Sequence, residues 1–140
     1  MKANEVAKVI KEYVNKVKIV NERRVFATTD EERCRAVMLA LKKRGVQHLS
    51  TISGVDRGDA ITLVYHLDCN PVLLSLKFNL PKSKPKVRTV TDIFPGAILY
   101  EREQMEMLGI KVEGHPDPSR LFLPDDWPAE VYPLRKEVKK

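Results

Sequence analysis

Residues 72–80, VLLSLKFNL, constrain the fold more than any other stretch of this chain. In an extended backbone successive side chains point to opposite sides. Val72, Leu74, Leu76, Phe78 and Leu80 therefore share one side, and Ser75, Lys77 and Asn79 take the other. A strand of this kind needs a sheet with one buried and one wetter face. Proline lacks the ladder donor, so the loop at 81–86, with Pro81 and Pro85, stays out of any central strand. Residues 46–55 and 60–69 are also rich in β-branched and apolar residues. Asp56-Arg57-Gly58-Asp59 links these two, and Asn70-Pro71 links the second to the strand at 72–80, which predicts a meander.

Upstream, Val6, Val9, Ile10, Tyr13, Val14 and Val17 recur at helical spacing and predict an amphipathic helix over 4–16. Residues 17–20 and 24–28 predict two short strands around Asn21-Glu22. Thr29 precedes Glu32 by three residues, the spacing of a capping box, and Cys34, Val37, Met38 and Leu41 continue a helix face that Gly45 stops. Val87–Val90 add a short strand. Thr91 to Gly96 form a capped turn into a helix over 97–108, which Gly109 ends. From 111 onward, Pro116, Pro118, Pro124, Pro128 and Pro133 interrupt any period and predict an extended tail. Leu121, Phe122, Leu123, Trp127, Val131, Tyr132 and Leu134 make that tail too apolar to float free. The expected fold is α+β: a mostly antiparallel sheet with helices on one face at 1–96, then the helix and extended proline-rich C-terminal tail of 97–140.

At 140 residues, 43% hydrophobic and 31% charged, the chain has the balance of one globular domain. No apolar run approaches the roughly 18 residues of a membrane-spanning helix. The opening MKANEVAKVIKEYV has no continuous apolar run, which argues against an ordinary secretory signal. Net charge is +6, with 12 basic and 6 acidic residues in 1–50 but 7 basic and 9 acidic in 101–140. The basic half suits nucleic acid, anionic lipid or an acidic protein partner; the acidic third argues against a chain that simply coats phosphates. The basic loop Lys82-Ser83-Lys84-Pro85-Lys86-Val87-Arg88 has no interleaved aromatics for base stacking and is expected to guard a sheet edge.

Cys34, Cys69, His48, His66 and His115 contain no close ligand pair, and His66 and Cys69 point to opposite faces of one strand, so no metal site is expected. No nucleophile elbow occurs, and Cys34 falls on an apolar helix face. Glu101, Glu103 and Glu106 share a helix with Arg102. Spacings of three and four put Glu103 beside Glu106 and Arg102 beside Glu106. The cluster is expected to be a salt-bridge network joining the helix to another chain rather than an acid–base pair.

Residues 100–110 (YEREQMEMLGI), 114–127 (GHPDPSRLFLPDDW) and 133–137 (PLRKE) follow one another closely. Together they resemble the signature of the 30 kDa subunit of respiratory complex I, the NADH dehydrogenase, a module shared with membrane-bound NiFe hydrogenases. Glu106 stands where the family usually has aspartate, and Leu108 where it has an aromatic, which suggests a divergent branch. The resemblance implies a structural subunit with no catalytic residues, cofactor or metal of its own. It implies packing against the large subunit related to the NiFe hydrogenase catalytic subunit, with iron–sulfur clusters, and in some complexes NiFe, in neighbouring chains. It also implies a peripheral place on the cytoplasmic side of the cell membrane, reached through the complex. Glu101, Arg102, Glu103, Glu106, His115, Asp117, Arg120, Leu121, Phe122, Trp127 and Arg135 fall on the matching blocks and are the expected partner interface. Two alternatives stand beside this: a free, basic nucleic-acid-binding module, and a stand-alone enzyme using the Glu101–Glu106 helix.

Overall fold

The alternating segment forms β5 (Leu73–Pro81) and occupies the middle of a five-stranded sheet in the computed structural model, which describes residues 1–136. The sheet order is β1 (Lys16–Asn21), β2 (Arg24–Thr28), β5, β4 (Ala60–Asp68), β3 (His48–Asp56). All neighbours run antiparallel except β2 and β5, which are parallel. Register explains the core. Leu74, Leu76, Phe78 and Leu80 lie opposite Leu67, Tyr65, Leu63 and Ile61 of β4, and Val25 and Ala27 of β2 lie opposite Leu74 and Leu76. All are buried, and the Tyr65 and Phe78 rings stack with centroids 5.5 Å apart. Burying each such large side chain contributes about 1.5–3 kcal/mol.

The helices cover that face. α1 (Ala3–Ile10) buries Val6 and Ile10; α2 (Glu31–Lys43) buries Cys34, Val37, Met38 and Leu41; α3 (Ala97–Leu108) lies against β3. A Cβ at Gly54 would collide with Gln104 and Leu108 of α3, so the strand has no side chain where the helix crosses it. Among the described residues the opposite face carries no helix, and Phe26 and Val55 are exposed there.

Local competition moves several elements from their expected places. The first helix stops at Ile10 and a 3₁₀ turn follows at Lys11–Tyr13, because the Thr29 hydroxyl donates to the Tyr13 carbonyl (2.7 Å) and the Asn15 N–H to Thr28 (2.7 Å). Val17 thus enters β1, where a β-branched side chain packs without the helical rotamer restriction. Asp30, not Thr29, caps α2 by accepting from the Arg33 N–H at 2.9 Å. Asp92 does not cap α3, whose N-terminus has no side-chain cap. Its carboxylate instead takes the Arg35 guanidinium at 2.6 and 2.9 Å. Residues 111–113, expected within the tail, form β7 (Lys111–Glu113), parallel to β6 (Lys86–Arg88).

Candidate functional site

Helix α3 buries Ala97, Glu101, Gln104 and Leu108, a stripe at helical spacing with two polar members. Each has local work. Gln104 Nε2 donates to the Ile52 carbonyl at 3.0 Å, tying α3 to β3. Glu101, 1% exposed, accepts from the Thr89 hydroxyl at 2.6 Å and the Val90 N–H at 2.9 Å. Burial pushes the Glu101 carboxyl above the usual glutamate range, and these two donors oppose that shift only in part.

His115 follows β7 and turns back onto α3, its side chain 1% exposed. Its Nε2 lies 3.0 Å from the Ile98 carbonyl, and its Nδ1 accepts from the Asp117 N–H at 3.0 Å. A carbonyl only accepts and an amide N–H only donates, so the hydrogen-bond pattern assigns the proton to Nε2. Glu101 Oε1 is 3.8 Å from that nitrogen, beyond a hydrogen bond. His115 is therefore a hinge pin between α3 and the returning chain.

The next residues are organised by α3 side chains reaching for backbone. Arg102 donates to the Ser119 carbonyl (3.0 Å), the Ser119 hydroxyl (3.1 Å) and the Arg120 carbonyl (2.7 Å), with Asp117 Oδ2 at 3.5 Å. Glu106 accepts three consecutive N–H groups, from Leu121 (3.0 Å), Phe122 (2.7 Å) and Leu123 (3.1 Å). Partial burial alone would raise its pKa; the three donors outweigh it and hold the carboxyl below the usual range. Arg120 then donates to the carbonyls of Pro124 (2.7 Å) and Trp127 (2.6 Å), and the Trp127 indole donates to Val131 (2.7 Å).

The segment closes beside Gly109. Its φ of +69° is the left-handed stop expected there, and a Cβ would collide with the Tyr132 ring. The Leu134 N–H donates to Met107, and Arg135 Nε donates to Leu108 at 2.5 Å, each satisfying a carbonyl at the end of α3. Lys136 N–H reaches buried Asp56 at the β3–β4 turn (2.8 Å), which also accepts from Gly58 N–H and pairs with Lys82 Nζ at 2.9 Å. These donors together keep the Asp56 carboxyl well below its usual range.

Among the expected interface residues, Glu101, Arg102, Glu106, His115, Asp117, Arg120, Trp127 and Arg135 thus all make contacts within this chain. Leu121 is half-buried. Glu103 has no hydrogen bond or ion pair with the described residues and sits one turn from exposed Leu99. Phe122 is 61% exposed although its N–H is fixed by Glu106. The spacing of Arg102 and Glu106 was a correct signal that they share a face. Nothing in the local sequence pointed to Asp56, Thr89, Gln104 or Tyr132, whose partners lie far away along the chain.

A cleft of about 350 Å³ remains between α3 and the returning segment, lined by Arg102, Glu106, Arg120, Trp127 and Tyr132. The side-chain polar groups of the first four are already spent on backbone, so the cleft offers no convergent reactive pair. No grouping of three or more His, Cys, Asp or Glu side chains suited to a metal occurs among the described residues. The His66 ring is shared between the Ser53 and Ser75 hydroxyls at 3.2 and 3.0 Å. Burial pushes the Cys34 thiol up to about 12 and the Cys69 thiol to about 11, far from thiolate chemistry at neutral pH.

The chain is similar to proteins from several respiratory complexes. It is 35% identical to the membrane-bound hydrogenase subunit beta of Pyrococcus furiosus, over 99% of this chain and 87% of that one. It is 36% identical to a subunit of the F(420)H(2) dehydrogenase of Methanosarcina mazei, over 91% and 84%. Its fold matches a chain of the archaeal membrane-bound sulfane sulfur reductase with a TM-score of 0.85, at 26% identity, over 97% of this chain and 84% of that one. It also matches the trypsin-resistant fragment of Nqo5, with a TM-score of 0.66 at 26% identity, over 81% and 94%. Residues 27–140 match the family described as the respiratory-chain NADH dehydrogenase 30 kDa subunit, and the chain belongs to that family.

Proposed function

We propose that this chain is a structural subunit of a membrane-bound, ion-translocating oxidoreductase of the complex I or NiFe hydrogenase type. In this reading it packs against the large catalytic-type subunit through the outward side of α3 and the returning C-terminal segment. One observation carries the reading. Phe122 is exposed, yet its backbone is pinned by the Glu106 carboxylate. A large aromatic displayed on a pre-ordered backbone loses little entropy on binding, which is the character of an interface anchor. Exposed Leu99 and Leu134, with Glu103, which pairs with none of the described residues, extend the surface. The motif charges act one step back: they shape this surface rather than cross it.

Electron transfer then belongs to cofactors in neighbouring chains, and this subunit keeps the large subunit in place. No helix among the described residues is long and apolar enough to cross a membrane. Membrane association in this reading comes through the complex, on the cytoplasmic side. Nothing in these relatives supports nucleic-acid binding.

The test is affinity purification of the tagged chain from solubilised membranes. Phe122→Ala is expected to lower recovery of the large subunit while the free variant keeps its thermal midpoint. Unchanged recovery would place the large subunit elsewhere.

A further inference from the structure

The helix-free face of the sheet has a composition unlike the rest of the surface. By register it presents Lys16 and Lys18 of β1, Arg24 and Phe26 of β2, Leu73, Ser75 and Lys77 of β5, and Val64 and His66 of β4. Lys16, Lys18, Arg24 and Lys77 are all exposed, and none makes a salt bridge with the described residues. Asp68, at the far end of β4, is the one carboxylate in register on these four strands' open side. The centre is different. Phe26 is 42% exposed, with the Arg24 guanidinium 5.4 Å from its ring; part-exposed Leu73 lies diagonally across on β5 and part-exposed Val64 one strand further, on β4. Five strands about 4.8 Å apart and five to nine residues long give a footprint on the order of 600 Å², most of one side of a standard protein interface.

We infer that this open sheet face docks a carboxylate-rich protein surface of a neighbouring subunit, with Phe26 as its apolar centre and Lys16, Lys18, Arg24 and Lys77 as its charged rim. The inference rests on the chain's being one subunit among several, not on where the large subunit binds. Charge decides the occupant. A second copy would bring the same four cations face to face and repel. An anionic bilayer would satisfy the cations, but it leaves the adjoining row of Ser53, His66 and Ser75, already hydrogen-bonded to one another, with no role. An apolar centre with a polar rim is the anatomy of a protein interface.

Lysine acetylation read by mass spectrometry tests this in three preparations: the free chain, the detergent-solubilised complex and native membranes. Lys16, Lys18 and Lys77 are expected to lose at least about fivefold in reactivity in the solubilised complex, while exposed Lys84 does not. Carbodiimide coupling is expected to join the same lysines to Asp or Glu of another subunit. The variant K16E/K18E/K77E should retain about tenfold less of that subunit at low salt, with K16Q/K18Q/K77Q intermediate. Far-UV circular dichroism on the free variants separates unfolding from lost docking. Equal reactivity in the free chain and the complex would overturn the inference, as would full retention of the partner by K16E/K18E/K77E. Protection seen in membranes but absent from the solubilised complex would overturn it in favour of a lipid surface. Loss of the large subunit by F122A with these lysines still protected would show that this face and the Phe122 surface hold different neighbours.

Discussion

The two parts of this molecule are held together by different chemistry. In residues 1–96, rows of apolar side chains face one another across β2, β5, β4 and β3 and under two helices. In residues 97–136, order comes from individual charged groups that reach for backbone: Glu106 for three N–H groups, Arg102 and Arg120 for carbonyls, Arg135 for the end of α3. An apolar row tolerates volume-conserving change because area, not direction, supplies the energy. A carboxylate taking three consecutive amides tolerates almost none, since each bond depends on geometry. The motif that resembles an interface of charges is first the scaffolding of the segment that bears it.

The comparison is most easily broken in the core. Phe78→Ala removes a fully buried ring stacked on Tyr65 and should cost about 3–5 kcal/mol, lowering the denaturation midpoint of the whole domain. Gly109→Ala should come next, at about 1–3 kcal/mol, because its φ is positive and its Cβ meets the Tyr132 ring. Its effect should fall on the returning segment. Trp127, the single tryptophan, reports that segment by fluorescence, while circular dichroism reports the sheet.

Acid should separate the two parts further. The Glu106 and Asp56 carboxyls lie below their usual values when folded. Their contributions are present above the unfolded carboxylate pKa, about 4, and disappear as pH falls through the folded values. Glu101 is displaced upward by burial, so its protonation relieves a cost and stabilises the folded state as pH drops toward that range. Trp127 fluorescence is therefore expected to change at a higher pH than the sheet's circular dichroism, and a coincident transition would show one cooperative unit. Phe122→Ala should be smallest, within about 0.5 kcal/mol for the free chain, with its effect on recovery of the large subunit.

Much of the sheet was legible because period-two alternation at 72–80 has few other solutions, and Gly45 and Gly109 stopped their helices as expected. The three-residue β7 was not, being too short to show a period. Thr29 and Asp30 are both good caps in adjacent positions, and only the Thr29–Tyr13 contact decides between them. In the site, the three blocks of residues showed where charges cluster along the chain, but not that Arg102, Glu106 and Arg120 bind this chain's own backbone. Glu101 and Gln104 lie on the buried stripe of α3 despite their polarity; Thr89 and Val90 donate to the Glu101 carboxylate and Ile52 takes the Gln104 amide N–H, while Gln104 Oε1 has no hydrogen-bond partner among the described residues. Asp56 and Lys136 meet across a separation no local pattern can encode.

The single parallel pairing in the sheet has a kinetic consequence. Strands β1 and β2 close as a hairpin, and β3, β4 and β5 close as a meander, each through short connections. Within the sheet, the β2–β5 seam is the strand pairing that joins them, between positions roughly fifty residues apart, so it carries much of the chain-closure entropy of the domain. The two pieces should form early and independently, with zipping of the seam limiting the folding rate. In native-state hydrogen exchange, amides bridging β2 and β5 should open ahead of those between β4 and β5, parting the domain along that line.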